Sequence, residues 1–554
     1  MVSRTKISRF ERDRRALGIH PGVSGTDWLL TRDERGNPHT TIDRRRGGVA
    51  WAEGNDVRAL VHGAPYFAEL LRRIQEMRAG DVVMFTDWRG DPDERLDGTG
   101  TEVERVLGSA AERGVIVKGL VWRSHLDRFG FSEEENRHLG ERIESAGGEC
   151  LRDMRVRPGG SHHQKLVVLR HPGRPESDIA FVGGIDLCHG RRDDATHAGD
   201  PQRQPMAAVY GERPPWHDVQ LAVRGPAVGA LEASFRERWE DDAALTRNPI
   251  DRLIDLGRRE DDTPDPLPSQ LPDPGQHGTA TVQVLRTYPA RLLGYPFAAR
   301  GERSVARAYR KVISRARSLI YLEDQYFWAA PVVRTFAEAL AANPRLRLIV
   351  VVPHYPDQDG RWTRAPNLVG RQDALRTVRA AGGDRVAVYG VENHAGTPVY
   401  VHAKVCVVDD VWASVGSDNV NRRSWTHDSE MSCAVLDEAR DEREPRVVDG
   451  YGTGARRFAR GLRLDLAREH LDRDEGDDAD LVDPESAFEE FANSARRLSA
   501  WHDGGRLGER PPGRLRPYAE VRLPKRTRLW ARPLYRTIYD PDVRPLWLRL
   551  RNRY

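Results

Sequence analysis

Residues 163–169 read H-Q-K-L-V-V-L and residues 402–408 read H-A-K-V-C-V-V. Each stretch sets a histidine two positions before a lysine and then runs into an apolar, β-branched segment. Positions i and i+2 of a strand face the same side, so His163 and Lys165 project together, as do His402 and Lys404. With 18 His and six Lys in 554 residues, chance supplies about 0.2 such triplets. Two of them therefore organise the reading.

Working outward, both triplets occupy the same place in an internal repeat. The helical pattern Tyr66 to Met77 leads into the apolar run from Val82 to Trp88, as Ser304 to Ala316 leads into Leu319 to Gln325. A helix and a buried-type strand follow in each half, ending in Val115 to Trp122 and in Leu346 to Val352. After each triplet comes a strand closing on Gly183-Gly184 or Gly416-Ser417, and then a late strand, Val219 to Val223 or Met431 to Val435. Short apolar strands alternating with helices predict an α/β chain with a mixed or parallel sheet. The expected architecture is two similar α/β/α sandwich halves packed as a pseudo-two-fold pair. The expected units are residues 1–248, a Pro/Asp-rich linker at 249–278, residues 279–500, and a basic aromatic tail at 501–554.

Composition narrows the class. Charged residues make up 31% and apolar residues 39%, which suits a folded globular chain. No apolar run approaches the ~18 residues of a membrane span, and no apolar region follows the basic stretch Met1 to Arg15. The chain is thus expected in the cytoplasm, with peripheral attachment at the inner membrane face. Cys150, Cys188, Cys406 and Cys433 lie far apart and read as buried structural thiols. Of 87 basic residues only six are lysine, so Lys165 and Lys404 stand out among arginines. The segment Arg506 to Tyr554 carries roughly +10 net charge, with Arg interleaved among Leu, Trp and Tyr. It reads as a closing segment on the body, or as a contact for an anionic membrane or nucleic acid.

Residues 402–424, H-A-K-V-C-V-V-D-D-V-W-A-S-V-G-S-D-N-V-N-R-R-S, resemble the HxKxxxxD motif of the phospholipase D superfamily with its GSxN continuation. S-H-H-Q-K-L-V-V-L followed by A-F-V-G-G-I-D-L resembles the matching N-terminal motif of eukaryotic-type phospholipases D. Pro215 to Val219, Arg224 to Ala227, Ile320 to Phe327 and Asp428 to Met431 are similar to further motifs of that group, in the same order. The resemblance implies the pseudo-two-fold phospholipase D fold, with His163 as nucleophile and His402 as acid. One departure is visible: Arg170 stands where the first motif's Asp belongs. Glu176 falls in that register when counted back from Gly183, with Asp178 two residues on, so Arg170 to Pro175 reads as a short insertion.

The chemistry leads the same way without the name. A phosphodiester resists attack because its oxygens are negative and its alkoxide leaves poorly. Two lysines facing each other offset that charge in the transition state. One neutral imidazole attacks phosphorus, and the other, protonated, donates to the leaving oxygen; chemistry alone does not order them. Each needs an acceptor at its second nitrogen, and Asp218 and Glu430, at the starts of the two late strands, are the candidates. Asp186 and Asn419, with Gly184 and Ser417 before them, line the expected substrate pocket. No metal or other cofactor is required, because the lysines supply the positive charge. His162, His189, His197 and His217 read as hydrogen-bonded bystanders.

The expected function is hydrolysis of a glycerophospholipid such as phosphatidylcholine to phosphatidate and a free head-group alcohol, with transphosphatidylation to small alcohols. The alternatives are another phosphatidyl transferase, of cardiolipin- or phosphatidylserine-synthase type, or a phosphodiesterase or nuclease of the same superfamily. A non-catalytic membrane- or nucleic-acid-binding protein ranks last, because both His–Lys pairs are intact. The partners expected are a phospholipid surface and water or alcohol. No obligate protein partner is required, and a monomer suffices.

Overall fold

The structure, a computed structural model, describes residues 25–124, 133–246, 263–291, 294–448, 452–519 and 523–551, with isolated positions beside them. Met1 to Arg15 and most of the expected linker before residue 263 lie outside the described residues, as does Arg522.

The first half contributes β1 (Ala52–Val61), β2 (Val82–Asp87), β3 (Ile116–Trp122), β4 (Glu149–Asp153), β5 (Leu166–Arg170), β6 (Ile179–Gly183) and β7 (Val219–Arg224). They lie side by side in the order β4–β3–β2–β5–β6–β7–β1. The second half contributes β8 (Ala280–Tyr288), β9 (Leu319–Glu323), β10 (Arg347–Val351), β11 (Val386–Glu392), β12 (Val405–Val408), β13 (Trp412–Gly416) and β14 (Glu430–Asp437). Their order is β11–β10–β9–β12–β13–β14–β8, strand for strand the same. Registers agree as well: Thr86 pairs with Leu166 where Glu323 pairs with Val405, and Gly183 pairs with Gln220 where Gly416 pairs with Ser432. The α/β halves are present, and their sheets are joined. The edge strands β1 and β8 pair antiparallel, Ala52 with Val282 and Asn55 with Ala280, making one large mixed sheet.

Alternation along the strands buries both faces. In the first half α1 (Gly63–Gln75), α2 (Val103–Glu112) and α3 (Glu133–Ser145) cover one face, and α4 (Ala227–Trp239) covers the other. In the second, α5 (Ser304–Arg315), α6 (Ala330–Ala342) and α7 (Arg361–Gly382) face α8 (Arg457–Leu471) and α9 (Pro484–Asp503) across the sheet. α1 buries Tyr66, Phe67, Leu70, Leu71 and Ile74, the stripe an amphipathic helix lays on a sheet. The core beneath α4 and α8 is continuous between halves, from Met84 and Val168 to Val405 and Cys433. All four cysteines are buried and free.

The halves differ at one hairpin. Residues 171–178 join β5 to β6, whereas 409–411 join β12 to β13. Asp409 accepts the N–H groups of Arg317, Ser318 and Leu319, tying the hairpin to the start of β9. Arg170 holds the corresponding place opposite Val82 and instead pairs with Asp178 at 3.0 Å and Glu232 at 2.6 Å, all buried. Asp178 is therefore the buried carboxylate of this hairpin, and Glu176, which the count had in register, is exposed on the added loop.

The C-terminal segment packs on the second half. α9 runs through position 500, and Leu515–Pro517 adds a strand to β11. Asp540 accepts from Arg422 and Arg423, and Tyr535 and Tyr554 are buried. Leu529, Ile538, Leu546, Trp547 and Leu550 remain exposed on the same segment, amid its arginines. No described helix is long and apolar enough to cross a membrane.

Candidate active site

The two His–Lys triplets meet where the halves cross. The chain before each triplet pairs with the lead-in to the other half's late strand: Val401 bridges His217, and His162 bridges Ser429. The His163 N–H donates to Ser429 O at 2.9 Å, and the His402 N–H to His217 O at 2.8 Å. One residue further along sit Asp218 and Glu430. His163 Nδ1 consequently lies 2.8 Å from Glu430 Oε2, and His402 Nδ1 lies 2.6 Å from Asp218 Oδ2. Each half supplies the carboxylate for the other half's imidazole.

The surrounding bonds assign the tautomers. The Ser417 hydroxyl accepts from the Met431 N–H and donates to Glu430 Oε2 at 2.5 Å. Glu430 Oε2 is thus an acceptor, and Nδ1 of His163 carries the hydrogen. Asp218 Oδ1 accepts the Val219 N–H at 2.9 Å, and Oδ2 takes the Nδ1–H of His402. Both Nε2 atoms are left for chemistry. Gly184 occupies the place of Ser417, and a Cβ there would stand 2.1 Å from Asp218 Oδ1. Glycine is needed because the shorter carboxylate lies against the turn.

Lys165 Nζ donates to His163 O at 3.1 Å and pairs with Asp186 at 3.3 Å. Lys404 Nζ donates to His402 O and lies 3.5 Å from Gln325 Oε1. Asp186 also takes the Trp88 N–H at 3.2 Å, whereas Asn419, its counterpart, buries Oδ1 without a hydrogen-bond partner among the described residues. The second lysine therefore faces neutral groups where the first faces an anion.

Burial and Lys404 push His402 down to about 3, and burial with Lys165 and Lys404 holds His163 well below the usual imidazole range. Burial opposes ionisation of Asp218, but His402 and Lys404 outweigh it and bring it to about 2. Burial and the neighbouring Asp428 push Glu430 up. Burial brings Lys404 down to about 8, with Lys165 adding repulsion against the pull of Asp218. Lys165 acts on Asp186 the other way: despite burial, it and Arg191 keep that carboxyl low.

All ten singled-out residues fall around this crossing. Three neighbours escaped the sequence reading. Arg191 stacks 3.9 Å over the Trp216 ring, which lies 4.9 Å from His402. Gln325 reaches Lys404, and Arg423 binds Asp428, which in turn accepts the Ser161 N–H. Gln325 had a signal, its place in the repeat opposite Trp88; Arg191 had none. Among the expected bystanders, His189 Nε2 lies at ion-pair distance, 3.0 Å, from Asp93. The ring nitrogens of His162 are buried and find no hydrogen-bond partner among the described residues. His197 and His217 belong to a buried cluster with His62 and Glu469.

Comparison with known proteins gives the same picture. The family described as "Phospholipase D" matches residues 135–333, and that described as "Cardiolipin synthase, PLD-like domain" matches residues 309–443. Phospholipase D alpha 2 of Oryza sativa subsp. japonica is 26% identical, with 66% of this chain and 58% of that protein covered. Phospholipase D alpha 1 of Vigna unguiculata is 28% identical, with 59% and 51% covered. The chain spans little more than half the length of these curated relatives. A phosphatidylserine synthase of Haemophilus influenzae Rd KW20 aligns with a TM-score of 0.46 at 12% identity, covering 72% of this chain and 86% of that one. Two family matches that overlap and together run from residue 135 to residue 443 take in both His–Lys triplets, and this chain belongs to the phospholipase D superfamily.

Proposed function

We propose that this chain is a phospholipase D that hydrolyses a glycerophospholipid to phosphatidate and a head-group alcohol through a phosphohistidine. The observation that carries the reading is the crossed pair of imidazoles, each held at Nδ1 by the opposite half and each with Nε2 free. In the first step His163 Nε2 attacks phosphorus. The bond from phosphorus to the head-group oxygen breaks, and His402 gives that oxygen its proton. In the second, His402 takes a proton from water, whose oxygen attacks phosphorus, breaks the P–N bond and releases phosphatidate. A small alcohol in place of water yields the transphosphatidylated lipid.

Two features support this order. His402 must carry an extra proton in each step, and the anionic Asp218 beside it favours that charge. Burial and Lys404 hold His402 neutral when the pocket is free, and an anionic phosphodiester offsets the Lys404 charge. His163 is the more reachable ring, 17% exposed against 7% for His402. Lys165 and Lys404 bind the non-bridging oxygens as charge builds. The exposed Leu529, Ile538, Leu546, Trp547 and Leu550, set among arginines, suit an anionic bilayer, where aromatic and basic side chains sit at the interface.

The match of residues 309–443 to a cardiolipin-synthase-type domain favours a second reading, a phosphatidyl transferase with an alcohol as its main acceptor. Vesicles of phosphatidylcholine and phosphatidylethanolamine with ethanol decide between them. Phosphatidate and phosphatidylethanol should form with wild type and vanish with His163→Ala and His402→Ala. Transfer to phosphatidylglycerol outpacing hydrolysis would favour the transferase. Cleavage of a generic phosphodiester with no lipid turnover would remove the lipid assignment.

A further inference from the structure

Behind Asp218, away from the reacting nitrogens, three imidazoles and a carboxylate converge. His62, the N-cap of α1, His197, His217 and Glu469 of α8 place one ligand atom each within 4.8 Å of all the others. The three rings are buried. His62 Nε2 lies 2.8 Å from Glu469 Oε2, and His197 Nε2 and His217 Nδ1 lie 3.1 and 3.2 Å from Glu469 Oε1.

For two of the rings an outer bond fixes which nitrogen points inward; for His62 it is the contact of Nε2 with Glu469 that does so. His197 Nδ1 lies 3.1 Å from Trp216 O, and a carbonyl only accepts, so Nδ1 carries the hydrogen and Nε2 faces Glu469 with its lone pair. His217 Nε2 lies 2.6 Å from Glu323, whose other oxygen takes His470 Nε2 at 2.7 Å and Tyr321 Oη at 2.5 Å. His217 therefore turns Nδ1 inward. Two lone pairs directed at a carboxylate repel unless two further protons or one divalent cation lie between them.

The second arrangement is how metal-bound histidines are built: the outer ring N–H donates to a carbonyl or carboxylate, and the inner nitrogen binds the ion. Bonds of about 2.0–2.1 Å in a tetrahedral site put neighbouring ligand atoms roughly 3.3 Å apart, close to the spacing of His197 and His217 from Glu469. The backbone at His62 is left-handed, φ +73°, so the ring is held in place against the chain's local preference. Glu469 is 11% exposed, which leaves a route from solvent.

We propose that His62, His197, His217 and Glu469 bind one divalent transition-metal ion of the zinc type, with a structural role. The ion would join three stretches of the first half to α8 of the second. It would stiffen the segment Trp216 to Asp218, on which both His402 and Ala403 hang through His217 O, and to which the His62 N–H is tied through Asp218 O. The chemistry proposed above does not pass through it.

The test uses the full chain purified without a metal-affinity step. Elemental analysis should find one zinc-type ion per chain. Exchange with Co²⁺ should give the visible absorption of four-coordinate cobalt. Stripping the ion should lower Tm, with recovery on adding Zn²⁺. His197→Ala and Glu469→Gln should each lose the ion, and His402→Ala should keep it. Should those variants fail to fold, the cobalt spectrum and the zinc-dependent Tm of wild type still decide. An ion content near zero after dialysis against Zn²⁺ or Co²⁺, with no absorption and no Tm response, would overturn the site in favour of a proton-filled cluster. Equal metal in wild type and both variants would overturn it too, by placing the ion elsewhere.

Discussion

The two triplets share a backbone and differ in charge. Around His163 stand Glu430, pushed up by burial and Asp428, and Asp186, kept low by Lys165 and Arg191. Around His402 stand Asp218, at about 2, and the neutral Asn419 and Gln325. The first triplet thus has its fixed anion against the lysine, and the second has it against the imidazole. Duplicated geometry with displaced charge is a means of giving two identical groups different work, and the proposed function uses it so: one ring bonds to phosphorus while the other moves protons.

The largest test of that contrast is removal of each ring. His163→Ala should cut kcat by about 10⁴-fold or more on every phosphodiester, because no covalent intermediate forms. His402→Ala should cost about 10³-fold on an alkyl ester and far less for the first turnover of an aryl ester, whose oxygen leaves without a proton. Burst kinetics on the two esters read the difference, and the opposite pattern would exchange the two roles.

Next come the carboxylates. Asp218→Asn should lower kcat by about 10³-fold, because an amide neither favours the imidazolium nor holds its tautomer. Glu430→Gln should cost only about 10-fold, since the glutamate is already biased toward its neutral form. Equal losses in kcat would erase the asymmetry.

The lysines sharpen it further. Lys404→Met should lower kcat/KM by about 10²-fold. Burial has brought Lys404 down to about 8, so the free protein loses that positive charge as pH rises through 8. kcat/KM should fall on that side, and Lys404→Arg, which stays protonated, should flatten the limb. A limb unchanged in the arginine variant would assign it to another group.

The hairpins differ most and should matter least to chemistry. Arg170→Met removes the cation between the buried Asp178 and Glu232, leaving them only His171 and Arg236, a cost of about 3 kcal/mol read by denaturant titration. Turnover well below Tm should stay within a few-fold, since Arg170 touches no reacting group.

Much was legible in the chain itself, because periodicity and spacing are local. Strand β5 and its counterpart β12 announce themselves as β-branched runs after HxK. The repeat alone pairs Gly184 with Ser417 and Asp186 with Asn419. Strands β1 and β8 were not legible: β1 is half exposed along its length, and neither carries a motif. Their pairing is nonetheless what fuses two halves into one sheet. Asp218 and Glu430 could be chosen from sequence as acceptors, but not their crossing to the opposite imidazole, which depends on which edges hydrogen-bond.

The repeat, the two His–Lys triplets and the α/β class were set by the sequence alone, since each follows from residues within a few positions of one another. Tertiary structure decided the rest. It set which carboxylate serves which ring, buried Asp178 rather than Glu176 at the hairpin, and gathered His62, His197, His217 and Glu469 from distant stretches. The pKa contrast between Asp218 and Glu430 arises there too, because burial and the field of Asp428, His402 and Lys404 exist only once the halves meet.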